Sequence, residues 1–290
     1  MEVNGAGSMG PRGAAGSTTG DTGRPPTVAF IPPSLCGAGY FRRLRRALGG
    51  RIDFRPVELP GHGRRFAEAT LTRADLAVAD VTRQIGGPVD AVYGESLGAY
   101  IGLAVVAAAG QRPHPPLIAA SNSPPSVRER IRTEEIGSIE SAVAVLTSMG
   151  GEIPADLVRD PALAEQFYPV IRDDLYLSQS FIELTRSLTT AGSIRVLAGA
   201  DDAASFRLEA WADHTTARCR VTALSGGHLL SADAPSEVAD ALVNLLREEL
   251  DSDSRGAAPV HLSAVRAAPS LSGPDLRAPL TPVKGAGPQE

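Results

Sequence analysis

One serine in this sequence stands in a pattern that could make it a nucleophile. Residues 94–98 read Gly-Glu-Ser-Leu-Gly, with Ser96 at the centre. A G-x-S-x-G pattern carries a reactive serine when it forms the tight turn between a strand and a helix, because that turn exposes the hydroxyl at the end of the sheet. Here an apolar run, 89–93, precedes the pattern and a nearly all-apolar helical segment, 97–109, follows it. This context favours a nucleophilic Ser96 over a serine that only caps a helix.

A serine hydroxyl needs a neighbouring base to attack at neutral pH, and histidine is the usual one. Among the five histidines, His228 lies in a glycine-containing loop after an apolar run, near the end of the region expected to fold. Enzymes with the chain order Ser, Asp, His carry the base in that position. The other four histidines fit this order less well: His62, His114, His214 and His261. We therefore predict that His228 is the base.

An acidic residue should orient the histidine and stabilise its protonated form. We expect it after the strand that precedes the histidine strand, and the segment after the run 194–198 offers Asp201 and Asp202. We prefer Asp202, which lies three residues past Gly199, because the turn then has room to swing back toward the sheet. Asp201 is expected to be in solvent or bonded to turn amides.

Two backbone N–H groups are expected to stabilise the negative charge that develops on the substrate oxygen. One is the N–H of Leu97, the residue after the nucleophile. The other should come from the loop after the first strand, where the N–H of Ser34 or of Leu35 is available and the two preceding prolines have none. Nearby Cys36 has no adjoining base, so we interpret it as a structural thiol.

The surrounding sequence predicts a fold that would bring these residues to one edge of a sheet. Short apolar runs alternate with helical patterns, which is the layout of parallel strands joined by crossover helices. Strands are predicted at 27–31, 53–59, 89–93, 117–121, 194–198 and 220–224, and helices at 76–85, 97–109 and 238–250. With the serine turn, this layout predicts the α/β-hydrolase fold, a mostly parallel sheet with helices on both faces.

One stretch interrupts the alternation of strands and helices. From about 124 to 188 the sequence has helical patterns, such as 139–149 and 162–171, without a convincing strand between them. Helices inserted after the nucleophile commonly roof the catalytic end of the sheet, so we predict a helical lid that shapes a substrate pocket. The alternative is a helical decoration that does not contact the substrate.

The two ends of the chain are expected to lie outside the folded domain. Residues 1–25 hold many glycines among Ser, Thr and Ala, and 251–290 are rich in Ala, Pro, Ser and Gly without apolar periodicity. Neither stretch buries enough apolar surface to offset the entropy lost on ordering. We therefore predict a disordered leader, a folded domain over 26–250 and a disordered tail.

Composition argues against several other classes of protein. The net charge of −5 offers no basic face, so we expect no nucleic-acid partner. The only cysteines, Cys36 and Cys219, are far apart and outside any metal-ligand spacing, which argues against a disulfide framework or a zinc site. No segment approaches the roughly 20 apolar residues of a membrane span, and none resembles a secretory signal. The expectation is a cytoplasmic protein without a membrane partner.

Several motifs together resemble those of type II thioesterases, the free-standing editing hydrolases of polyketide and nonribosomal peptide synthesis. Residues 58–63, Glu-Leu-Pro-Gly-His-Gly, resemble the family's LPGRG-like turn, 94–98 its GHSMG turn, and 226–228 its Gly-Gly-His. The first-strand loop, 31–42, and the lid motif at 146–151 are similar as well, so the resemblance spans nearly the whole folded region.

Two positions depart from the family's pattern. The family usually has His-Ala-Gly-Gly where this chain has Pro33-Ser34-Leu35-Cys36, and Glu95 replaces the common histidine before the nucleophile. The first change reshapes the loop that should supply the second oxyanion donor. We expect it to affect the choice of substrate more than the mechanism.

The resemblance implies a serine thioesterase with the triad Ser96, Asp202 and His228. Its substrate would be an acyl thioester on the phosphopantetheine arm of an acyl or peptidyl carrier protein, and the reaction would need neither metal nor organic cofactor. Two other functions stay open. An esterase, or an acyl-transferring or cyclising enzyme, would keep the triad but act on other donors or acceptors. A binding protein would keep the fold without catalysis.

Overall fold

Six strands form the sheet of this protein, which we describe from a computed structural model over residues 24–110, 112–153 and 159–256. The strands are β1 (Thr27–Ile31), β2 (Asp53–Pro56), β3 (Ala91–Glu95), β4 (Leu117–Ala120), β5 (Ile194–Gly199) and β6 (Cys219–Leu224). Their order is β2-β1-β3-β4-β5-β6, and each neighbouring pair is parallel. All six predicted strands are present, and the predicted α/β fold is confirmed.

Helices connect the strands and cover the sheet. Those that the structure describes are α1 (Arg42–Leu48), α2 (Ala74–Ile85), α3 (Leu97–Ala108), α4 (Ile139–Ser148), α5 (Pro161–Thr185), α6 (Leu230–Asp233) and α7 (Pro235–Gly256). Short 3-10 turns lie at Ala38–Phe41, Gly63–Arg65, Thr133–Glu135 and Leu208–His214. The apolar pattern did not predict α1, because this seven-residue helix buries only two leucines, Leu44 and Leu48.

Successive side chains along each strand point to opposite faces of the sheet, and both faces are buried. Ala29 and Val92 belong to an apolar core that they share with α2, α3 and α5, whereas Phe30 and Tyr93 belong to a second core shared with α1 and α7. The central strands therefore consist of consecutive buried residues, which explains their continuous apolar runs.

Between β4 and β5 lies the segment that was predicted as a helical lid, residues 124–188, which we call the helical insert. Its described residues form α4, α5 and one 3-10 turn and contain no strand. Ser138 caps α4 by accepting a hydrogen bond from the N–H of Ser141, and Asp160 caps α5 through the N–H of Ala162. These caps fix where both helices begin.

Helix α5 is longer than the sequence pattern predicted. It continues through Pro169 and past the predicted end at residue 171. Its second half is held by tertiary packing, since the fully buried Phe181 belongs to the core beneath the sheet. Packing of this kind compensates for the hydrogen bond that a proline removes from a helix.

The last helix also exceeds its predicted end. The tail was predicted to begin at residue 251, but α7 runs to Gly256 because a helix, once formed, gains a backbone hydrogen bond with each residue added. The predicted leader up to residue 23 and the tail from residue 257 lie outside the described residues. In the described part of the chain, no helix combines the length and apolarity needed to cross a bilayer.

Candidate active site

Ser96 stands in the tight turn between β3 and α3, as the motif predicted. Its backbone angles, φ 54° and ψ −119°, are unfavourable for a residue with a side chain. A Cβ atom at Gly94 would lie 2.0 Å from the carbonyl oxygen of Gly98, and one at Gly98 would lie 2.3 Å from the carbonyl oxygen of Ile31. Only glycine fits at both flanking positions, so the motif is what allows this turn to form.

The structure brings Ser96, His228 and Asp202 together from three loops at the same sheet edge. His228 Nε2 lies 3.0 Å from Ser96 Oγ, and His228 Nδ1 lies 3.0 Å from Asp202 Oδ2. Each residue follows the carboxyl end of its strand, β3, β6 or β5, and parallel strands place those ends side by side. The histidine and the aspartate are both buried.

The hydrogen bonds of Asp202 determine which nitrogen of the histidine carries a proton. Burial alone would raise the pKa of Asp202, but hydrogen bonds from His228 and Ser205 outweigh it and lower that pKa. Ser205 Oγ donates to Asp202 Oδ2 over 2.5 Å, and the N–H of Ala204 donates to Asp202 Oδ1 over 3.0 Å. An ionised carboxylate only accepts, so Nδ1 of His228 donates and Nε2 is left to accept the proton of Ser96.

Two of the residues that competed for the acid and base roles, Asp201 and His214, make other contacts. The side chain of Asp201 is exposed, and its backbone N–H donates to the carbonyl of Gly226 over 2.9 Å. The ring of His214 bonds to the carbonyl of Leu188 and to the hydroxyl of Ser126. His261 lies outside the described residues.

The two predicted oxyanion donors face the same cavity as the serine. Ser34, Leu97, Ser96 and His228 all line it. Leu97 is the first residue of α3, where a backbone N–H has no partner inside the helix. Leu35, the alternative to Ser34, instead donates its N–H to Asp174 Oδ2 over 2.6 Å. The N–H of Ser34 forms no hydrogen bond with the described residues. Of the two, Ser34 is therefore the residue whose N–H can bind a ligand.

A buried contact between His62 and Asp174, a residue of the helical insert, holds this loop. Asp174 Oδ2, on α5, accepts the N–H of Leu35 and lies 3.1 Å from His62 Nε2, while His62 Nδ1 lies 3.0 Å from the carbonyl of Pro60. Burial acts to lower the pKa of His62, but Asp174 and the Pro60 carbonyl outweigh it and raise that pKa. Both ring nitrogens face acceptors, which suits the doubly protonated ring.

The backbone of Leu35 is strained. Its φ of 64° lies in the left-handed region, which a leucine rarely adopts. The bond to Asp174 offsets part of this strain, because hydrogen bonds to a charged acceptor are the strong ones. The sequence alone predicted neither the contact between His62 and Asp174 nor the role of Asp174 in holding the loop.

Glu95, the residue before Ser96, is fully buried. It accepts hydrogen bonds from the hydroxyls of Tyr40 over 2.5 Å and of Tyr93 over 2.9 Å, and from both the N–H and the hydroxyl of Ser231. Burial raises the pKa of Glu95. Ser231 is three residues past His228, so this cluster fastens the histidine loop to the strand that carries the serine.

Two further side chains near the serine have definite roles in the geometry. Asn122, after β4, donates from Nδ2 to the carbonyl of Ser96 over 2.8 Å and thereby fixes the strained turn. Cys36 lines the cavity, but burial and the nearby charges of Glu95 and Asp174 raise its pKa to about 12. A thiol that stays protonated is a poor nucleophile, in agreement with the structural interpretation of Cys36.

The helical insert encloses the cavity in front of Ser96. The cavity measures about 390 Å³ and is mainly apolar, and the insert contributes six apolar side chains: Leu146, Met149, Ile153, Phe167, Val170 and Ile171. Gly150, with φ 93°, packs directly on the histidine, since a Cβ there would lie 2.4 Å from His228 Cγ. The insert thus lines the cavity and packs against His228. Among the described residues, no cluster of metal-ligating side chains is found.

A family model described as "Thioesterase domain" matches residues 26–246 of the chain. No curated protein sequence matches this chain. Three similar solved structures are ClbQ from the colibactin NRPS/PKS pathway, YbtT, a type II thioesterase from the yersiniabactin NRPS/PKS pathway, and RedJ, a thioesterase from the prodiginine pathway in Streptomyces coelicolor.

These three structures share the fold at low sequence identity. ClbQ is 23% identical over 78% of this chain and 98% of its own, with a TM-score of 0.66. YbtT is 17% identical over 79% of this chain and 96% of its own, with a TM-score of 0.68. RedJ is 24% identical over 82% of this chain and 97% of its own, with a TM-score of 0.63. The fold of the described domain is therefore that of these proteins.

Proposed function

The chain belongs to the thioesterase domain family, and from this we propose that it is a serine thioesterase that hydrolyses acyl thioesters on the phosphopantetheine arm of a carrier protein. We place it in polyketide or nonribosomal peptide biosynthesis. ClbQ, YbtT and RedJ, which share its fold, come from such pathways or from prodiginine biosynthesis. The observation that carries the proposal is the hydrogen-bonded series Ser96–His228–Asp202, with 3.0 Å at each step, facing an apolar cavity.

In the first half of the reaction Ser96 takes the acyl group. Its oxygen attacks the thioester carbonyl while His228 Nε2 removes the hydroxyl proton, and Asp202 stabilises the imidazolium that results. The N–H groups of Leu97 and Ser34 would bind the oxyanion of the tetrahedral intermediate. When the intermediate collapses, the carbon–sulfur bond breaks and His228 returns the proton to the departing thiolate.

In the second half water releases the acid. His228 removes a proton from water as it attacks the acyl-serine ester, and the same donors bind the second oxyanion. Collapse breaks the bond between the acyl carbon and Ser96 Oγ, and the proton on His228 goes back to the serine. No step needs a group beyond these side chains and amides.

The shape of the cavity supports an acyl substrate. Its volume of about 390 Å³ and its apolar lining suit a hydrocarbon chain, because burying apolar surface is what favours binding there. The thioester would lie at Ser96 and His228, with the acyl chain under the helical insert.

Substitution of Ser96 by alanine tests the proposal. Wild-type protein should release acid from an acyl-phosphopantetheinyl carrier protein, and Ser96→Ala should be slower by at least about 10³-fold, since loss of a triad serine removes the nucleophile. Release is measured as free carrier thiol or by mass spectrometry of the carrier. Undiminished hydrolysis by the variant would exclude Ser96 as the nucleophile.

A fluorophosphonate probe separates a catalytic from a non-catalytic protein. This probe reacts with activated serines, so it should label wild type at Ser96 and leave Ser96→Ala unlabelled. Melting curves of the two proteins check that both are folded. A folded wild-type protein that is not labelled would favour the binding-protein alternative.

A further inference from the structure

Helix α1 presents an unusual concentration of positive charge for an acidic protein. Its seven residues include four exposed arginines and no acidic residue: Arg42, Arg43, Arg45 and Arg46. Arg42 and Arg45 form no ion pair with any of the described residues. The chain as a whole has a net charge of −5, so this positive surface is local.

The positive surface adjoins the active-site cavity. Arg42 and Arg45 line a surface cavity of about 380 Å³ together with Arg64, which pairs with the buried Glu58 over 3.2 Å but stays 85% exposed. Gly63 lines both this surface cavity and the active-site cavity. The loop that contains Gly63 is therefore the boundary between the arginines and the space in front of the serine.

An exposed aromatic ring stands on the same loop. Phe66 lines the active-site cavity and is 78% exposed, the largest exposed fraction among the large apolar side chains of the described residues. Arginine and aromatic side chains are enriched where proteins bind each other, and they often dominate the binding energy. The combination of exposed arginines and an exposed aromatic ring is typical of a protein-binding surface.

We propose that this surface, formed by Arg42, Arg45, Arg64 and Phe66 and here called the arginine face, is where the carrier protein docks. The inference rests on the proposed function. When the thioester lies at Ser96, the phosphodiester that joins the arm to its carrier lies outside the cavity, so the carrier must sit at the rim. Arginine binds phosphate through paired hydrogen bonds, and its charge attracts acidic side chains around that phosphate. The occupant is thus a carrier with an acidic surface around its phosphopantetheine.

Reversal of two charges on the arginine face tests this docking. We compare wild type with Arg42→Glu/Arg45→Glu on two substrates with the same acyl group, one on the carrier protein and one on free pantetheine. The double variant should lose about 10-fold or more in kcat/KM for the carrier substrate, mainly through KM, because repulsion replaces attraction. Hydrolysis of acyl-pantetheine should not change, since that substrate lacks both phosphate and carrier.

A matched control variant carries the same change in charge at the opposite edge of the sheet, where the strands begin. Arg112 and Arg218 are exposed and precede β4 and β6, so they lie at the edge away from Ser96. Arg112→Glu/Arg218→Glu should keep most of its activity on the carrier substrate. Equal losses in the two double variants, or no loss in Arg42→Glu/Arg45→Glu, would overturn the docking proposal.

Binding measured without turnover keeps this test separate from that of the proposed function. Calorimetric titration with phosphopantetheinyl carrier lacking an acyl group should show weaker binding to Arg42→Glu/Arg45→Glu than to wild type, with a loss that shrinks as salt is added. If wild type binds the carrier by this face but hydrolyses neither substrate, the proposed reaction fails and the docking face stands. If it hydrolyses acyl-pantetheine and the variant binds carrier as well as wild type, only the docking face fails.

Discussion

Ser96 holds a backbone conformation that a serine does not adopt without external support. Residues in such regions cost about 1–3 kcal/mol each and persist where surrounding contacts fix them. Here the N–H of Ser96 donates to Ala120 over 2.9 Å and its carbonyl accepts from Asn122 over 2.8 Å. The last residue of β4 and the loop that follows it therefore hold the strained serine, and its hydroxyl is presented to His228 at the start of α3.

The pair His62–Asp174 supplies a pH-dependent prediction at the residue scale. The pKa of His62 is raised in the folded protein above its ordinary value of 6.5. Its contribution to stability is then fully present below pH 6.5 and is lost as the pH rises through the folded pKa. We expect the Tm difference between wild type and His62→Gln to be largest near pH 6 and to shrink as the pH increases. Thermal unfolding over a pH series measures this.

His214 is the control for this prediction, because its pKa shifts in the opposite direction. Burial lowers the pKa of His214, so the stability linked to its titration is present above pH 6.5 and is lost as the pH falls. The Tm difference for His214→Gln should therefore grow with rising pH. A His62→Gln difference that grows in the same way would contradict the ion pair with Asp174.

The residues that the sequence alone could locate share one property. Ser96, His228 and Asp202 each lie three or four residues past a predicted apolar run, so the G-x-S-x-G motif, strand prediction and chain order selected them, and the structure places them within hydrogen-bond reach. Asp174 and Glu95 have no such local signal. Each is defined by groups far away in sequence, since Asp174 meets Leu35 and His62, and only the folded chain brings those groups together.

At the scale of elements, the helical insert and the histidine loop form one packed unit. Gly150 lies against the ring of His228 just after α4, in a left-handed conformation that glycine adopts without strain. Any side chain there must displace either the ring or the insert. The position of His228, the proposed base, is therefore coupled to the position of the helical insert over the cavity.

Substitution of Gly150 by alanine tests this coupling. Its Cβ would lie 2.4 Å from His228 Cγ, and φ 93° is strained for alanine, so the imidazole must shift. We expect kcat on an acyl thioester to fall by about 10-fold to 100-fold, because small displacements of a catalytic group cost that much. Steady-state kinetics with melting curves separate this effect from unfolding.

Gly137 provides the matched control within the same insert. A Cβ at Gly137 meets nothing within 4 Å, and its φ is not in the positive range. Gly137→Ala should therefore retain both activity and stability. Equal kinetics in Gly150→Ala and wild type would show that the insert does not constrain the histidine.

The elements themselves were predictable to different degrees. The strands of the central sheet are buried on both faces, which gives continuous apolar runs that the sequence displays directly. Helix α1 escaped prediction because its short length leaves only two buried leucines among arginines. The length of α5 was underestimated because its second half is held by tertiary packing, such as that of the buried Phe181, which local sequence does not show.

At the scale of the whole molecule, charge and shape match the two ends of the proposed substrate. The apolar cavity under the insert would take the acyl chain, and the arginine face at its rim would bind the phosphate and the carrier. The thioester bond between them would lie at Ser96. A substrate with only one of these ends should be hydrolysed with a lower kcat/KM than the complete acyl carrier protein.

The most direct test of the central claim is to trap the acyl group on the enzyme. Wild type is mixed with acyl-phosphopantetheinyl carrier, quenched in acid within the first turnovers and examined by mass spectrometry of the intact protein and its peptides. We expect a mass increase equal to the acyl group on the peptide that contains Ser96, and none in Ser96→Ala. Hydrolysis without any acyl-enzyme, or an acyl group on a residue other than Ser96, would contradict the account.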